Sequence, residues 1–104
     1  MSVNNNSIFT ITTFCYHKND DTPVSNLRTP GFYHNFDEAE TDVMNNACDI
    51  WEYTYNYAVI EELKPGMYPQ CVNRHFYKFN LETKKYESIL APKGLEHITG
   101  FSIG

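Results

Sequence analysis

Apolar and polar positions change period along this chain, and the changes predict its elements. From Ser7 to His17, Phe9, Ile11, Thr13 and Cys15 alternate with Ile8, Thr10, Thr12, Phe14 and Tyr16. Alternation over that length predicts a strand, and apolar residues on both of its faces place it inside a sheet. Lys18 to Asn26 is rich in Asn, Asp, Pro and Ser and is expected to be a loop. In Leu27 to His34, Pro30-Gly31 signals a turn before a short Phe32-Tyr33 strand.

The period then becomes helical. Phe36, Ala39, Val43 and Ala47 step by three, four and four, with Met44 beside them, which predicts an amphipathic helix over 36–47. Asn35 is its N-cap, and Glu38 three residues later completes a capping-box pattern. Thr41, Asp42, Asn45 and Asn46 fall on the water-facing side. From Asp49, aromatic and polar residues alternate through Trp51, Tyr53, Tyr55 and Tyr57. The continuous run Ala58-Val59-Ile60 then predicts a core strand.

Lys64-Pro65-Gly66 reads as a turn, and Val72–Asn80 with Lys85–Leu90 as a hairpin around a polar connection. A helical turn over Leu95–Thr99 and a short strand over Gly100–Ile103 are expected to end the chain. The implied fold class is α+β: residues 1–104 as one domain, a single mostly antiparallel sheet, and one helix packed across one face.

Composition narrows the function classes. No apolar run reaches the ~18 residues that a membrane span needs. The polar start, Met1 to Asn6, lacks the pattern of a signal peptide, so a cytoplasmic location is expected. Cys15, Cys48 and Cys71 are an odd, widely spaced set and are expected to be reduced structural thiols. The closest Cys/His pair, Cys15 and His17, lacks further ligands at zinc-site spacing, so neither a metal nor a cofactor is implied.

The net charge of −5 argues against general nucleic-acid binding, which needs a basic stripe. Of the thirteen acidic residues, eight lie between Asp37 and Glu62, a stretch without Lys or Arg. The plain account of such a run is a solvated face. Glu61 and Glu62 are adjacent on a strand and point oppositely, which is wrong for a catalytic dyad. No catalytic or phosphate-loop motif occurs, so a small enzyme ranks behind a binding protein and no catalytic residue is assigned.

Eight Tyr, seven Phe and one Trp stand against only two arginines. Arg28 precedes Gly31-Phe32-Tyr33, and Arg74 precedes His75-Phe76-Tyr77. Guanidinium suits phosphate and aromatic rings suit stacking on a base. Arg28, Tyr33, Arg74 and Tyr77 are therefore the candidate ligand-binding residues for a small anionic, ring-bearing ligand. In a chain this short, the site is expected at the interface of a homo-oligomer.

The stretch from Arg28 to Pro69, with the ending Gly100-Phe101-Ser102-Ile103-Gly104, resembles a group of small bacterial and phage proteins of unknown function. The resemblance rests on Arg28, Gly31 and its aromatic pair, the Phe36–Ala39 helix start, Asp49-Ile50, and Tyr57-Ala58-Val59-Ile60-Glu61-Glu62. It implies a phage setting, where compact proteins antagonise host defences. One reading is sequestration of a cyclic-nucleotide or cyclic ADP-ribose signal. The alternative is a protein-interaction inhibitor of a host protein that uses the acidic helix or an aromatic surface, with a DNA mimic as a special case.

Overall fold

Five strands form one antiparallel sheet in the order β2-β1-β3-β4-β5 in the computed structural model, which describes residues 7–17, 23–52, 55–67, 69, 71–95, 98 and 100–102. The strands are β1 (Ile8–Tyr16), β2 (Val24–Tyr33), β3 (Tyr57–Leu63), β4 (Cys71–Asn80) and β5 (Lys85–Ile89). One helix, α1 (Phe36–Met44), lies between β2 and β3 in the chain. β2 and β3 both pair antiparallel with β1, so the connection through α1 crosses over β1. β1 is interior to the sheet, as its two apolar faces predict. The β4–β5 hairpin stands where the sequence places it, and a bend over residues 65–67 falls on the turn expected at Lys64-Pro65-Gly66.

β2 departs from expectation. It is one ten-residue strand, where the sequence suggests a loop ending at Asn26 and a turn at Pro30-Gly31. Lys18 to Thr22 lie outside the described residues. Gly31 to Arg28 takes three steps on β2 against two on β1, and Arg28 to Ser25 does so again. Pro30 falls inside the first of these bulges and Asn26, with φ +55°, inside the second. Both residues are turn formers, and here they serve bulges on an edge strand, where a missing N–H costs no ladder bond.

α1 is also shorter than expected. The Asn35 side chain accepts from the Glu38 N–H at 3.1 Å, so the predicted N-cap stands. Asn45 caps the other end, and Asn46 turns left-handed at φ +51°, a conformation asparagine tolerates. Ala47 to Asp49 continue as a separate 3-10 turn. Ala39 and Val43 are fully buried, whereas Phe36 and Ala47 are only half-buried.

Strand alternation divides the core in two. Phe9, Ile11, Ala58, Ile60, Tyr77, Phe79 and Tyr86 share one sheet face and one buried cluster with Ala39 and Val43. Phe14, Val59 and Phe76 share the other face and cluster with Leu95 and Phe101. The terminal strand expected over Gly100–Ile103 is absent at Phe101 and Ser102, which lie in bends, and Ile103 lies outside the described residues. In the stretch expected to turn helically, the Ile98 N–H donates to the Leu95 carbonyl at 3.2 Å. Glu96, His97 and Thr99 lie outside the described residues.

Candidate functional site

The four candidate ligand-binding residues occupy separate places. Arg28 and Tyr33 stand on edge strand β2, five positions apart. Arg74 and Tyr77 stand on β4, and an odd spacing of three sends them to opposite faces. Cross-strand register places Arg28, Thr13, Ala58 and Tyr77 in one row, so Arg28 and Tyr77 are three strands apart, roughly 14 Å. The four do not converge on one point.

Each of them instead meets a carboxylate from the acidic stretch. Arg28 Nη1 donates to Glu52 Oε1, an exposed pair that holds the guanidinium above its ordinary pKa. The Tyr33 hydroxyl donates to Asp42 Oδ2 on α1, and that bond pushes the phenol up to about 12. The Tyr77 hydroxyl donates to Glu40 Oε2 at 2.6 Å. Burial first, and then that bond, raise the Tyr77 pKa. Arg74 Nε donates to Glu61 Oε2 at 3.0 Å, and its guanidinium lies 5.2 Å from the Phe101 ring centroid.

Glu61, excluded as half of a catalytic dyad, is given no other role by the sequence. It is fully buried on β3, and its carboxylate accepts from Arg74, the Phe101 N–H, the Ser102 N–H and the Ser102 hydroxyl. One signal could have found it. Glu61 lies two positions from Val59 and two from Leu63, so it shares their buried face. Its neighbour Glu62 points the other way, where Asn73 Nδ2 donates to it at 2.9 Å and lowers its pKa.

The surface offers a shallow hollow of about 280 Å³ between the end of β2 and α1. Tyr33, Asp37, Glu38, Thr41 and Asp42 line it, so its charge is negative. The β2 edge exposes Leu27 and Phe32, the latter 57% accessible and, one position from Tyr33, pointing to the opposite sheet face.

Cys48 and Cys71 are free thiols, and Asn26 Nδ2 donates to Cys15 Sγ at 3.8 Å. Cys15 is buried while His17 is exposed. Burial raises the Cys71 thiol, opposite to what activates a nucleophile. No helix among the described residues is long and apolar enough to cross a membrane. Fold and site together define a small α+β protein with an antiparallel sheet, internally paired charges and an acidic hollow at one edge. In comparisons with known proteins, no family model, no curated protein and no solved structure matches this chain.

Proposed function

We propose that this is a non-enzymatic binding protein whose target is a basic segment of another protein, taken where the β2 edge meets α1. The observation that carries this reading is the sign of the hollow: Asp37, Glu38 and Asp42 line it, and among the described residues no Lys or Arg does. A Lys or Arg side chain of the partner would enter the hollow, while an apolar neighbour reaches over the β2 edge to Phe32. The reading takes α1 as seated across the first face of the sheet, which turns its acidic side outward.

The nucleotide-type ligand fits less well. Its phosphate would have to displace Glu52 from Arg28 or Glu61 from Arg74, and at the hollow it would meet three carboxylates. In the phage setting that the resemblance implies, the proposed role is interference with a host protein rather than capture of a signal.

Calorimetric titration separates the two readings. A lysine- and arginine-rich peptide carrying one aromatic residue should bind, and D37N with E38Q should weaken it about tenfold or more at low salt. Binding of a cyclic nucleotide or a cyclic ADP-ribose isomer that Arg28→Ala abolishes would replace this proposal with the ligand reading.

A further inference from the structure

After β5, Leu95, Ile98 and Phe101 pack on the second face, and none of the described residues of that stretch belongs to the sheet. Among the described residues its backbone-to-backbone bonds are local: the Leu95 N–H to the Pro92 carbonyl, and the Ile98 N–H to the Leu95 carbonyl. Its far end is held by side chains of other elements. The buried Glu61 carboxylate accepts from the Phe101 N–H at 3.1 Å, the Ser102 N–H at 3.1 Å and the Ser102 hydroxyl at 3.2 Å. That hydroxyl also bonds the Thr10 hydroxyl at 3.0 Å. The Phe101 ring centroid lies 5.2 Å from that of Phe14 and 5.8 Å from that of Phe76, with Arg74 on its face.

These are the contacts by which a receptor holds a peptide. Two consecutive N–H groups meet one acceptor, an aromatic side chain fills a ring-lined slot, and a hydroxyl is read by two partners. We propose that Glu61, Arg74, Phe14, Phe76 and Thr10 form a peptide-binding site for an aromatic residue followed by a hydroxyl residue. Phe101 and Ser102 fill it in cis, and the same two residues of a second copy fill it in trans. Exchange between copies breaks no strand pairing. The connection is exposed, with Leu90 91% accessible and Gly94 at φ +93°, so it can open as a hinge. The slot rejects proline at either position, since each N–H has the carboxylate as its acceptor. The site lies on the opposite face from the acidic hollow and does not depend on the function proposed for that edge.

The test uses full-length Phe101→Ala protein and a labelled synthetic peptide of residues 95–104. The variant should bind the peptide, and wild-type protein, whose own segment competes at high effective concentration, should bind it at least tenfold more weakly. The peptide with Phe101→Ala should not bind, and adding Glu61→Gln to the variant should weaken the normal peptide about tenfold or more. A folded Phe101→Ala protein that ignores the peptide overturns the site. If that variant is unfolded alone, the peptide should restore its circular dichroism, and failure to do so overturns the site equally. Wild-type protein should form an exchanged dimer after incubation at millimolar concentration. A chain that stays monomeric throughout overturns the trans occupancy.

Discussion

The two faces of the sheet are buried by different means. On the first, Ala39 and Val43 join an apolar cluster, and its buried hydroxyls are paired: Tyr77 to Glu40, Tyr86 to the Tyr55 carbonyl at 2.7 Å, and Thr13 to the Arg28 carbonyl at 3.4 Å. On the second, Leu95 and Phe101 from the segment after β5 join the cluster, and a fully buried carboxylate ties that segment down. A helix satisfies its own backbone, so it needs only an apolar stripe to be buried. A segment without secondary structure brings unpaired N–H groups into the core. It therefore needs an acceptor there, which Glu61 supplies.

Opposite substitutions should break the two faces. Val43→Asp places an unpaired charge in the first, and Glu61→Leu removes the required charge from the second. Each should cost about 3–5 kcal/mol, against a total stability of roughly 5–15 for a domain. Urea denaturation measures both. Glu61→Leu at wild-type stability would show that the second face does not depend on its carboxylate. Tyr77→Phe is milder. It leaves the Glu40 carboxylate without its tyrosine donor and should cost about 1–2 kcal/mol.

Alkaline pH should loosen the first face, where three tyrosines with raised pKa values sit. Asp42 raises the Tyr33 phenol to about 12, and burial raises Tyr77 and Tyr86. A group whose folded pKa lies above its unfolded value of about 10 contributes stability that is complete below pH 10 and is lost as pH rises further. Absorbance titration should therefore show a group of tyrosines ionising late, together with unfolding above pH 10. Ionisation of all tyrosines near pH 10, with the fold intact, would contradict these contacts. The smallest effect belongs to Arg28→Ala. That exposed pair is screened by water, so thermal stability should not change measurably.

The same contrast explains what could be read from the chain. Period alone placed β1, α1, β3 and the β4–β5 hairpin, because each carries a regular apolar pattern on a regular backbone. Only the Phe32-Tyr33 end of β2 was legible; the rest was hidden because Asn26 and Pro30 have the same local chemistry in a bulge as in a turn. Only pairing with β1 decides between them. The segment over the second face has no period to read.

The acidic run and the arginine–tyrosine pairs were both visible in the sequence, but as separate features. Arg28 is 24 residues from Glu52 and Tyr77 is 37 from Glu40, so their pairing is a product of topology. The charge that looks like a solvated face is, at Glu40, Asp42, Glu52 and Glu61, a set of internal partners.

That pairing is the account's central claim, and the Glu61–Arg74 contact tests it most directly. A double-mutant cycle with Glu61→Gln and Arg74→Met, each variant measured by urea denaturation, reads their coupling free of their separate contributions. The structure predicts a coupling of at least about 1.5 kcal/mol, as for a charge-assisted bond away from water. Additivity within about 0.5 kcal/mol would contradict it, leaving the acidic stretch as solvated charge and Arg74 free to meet a ligand.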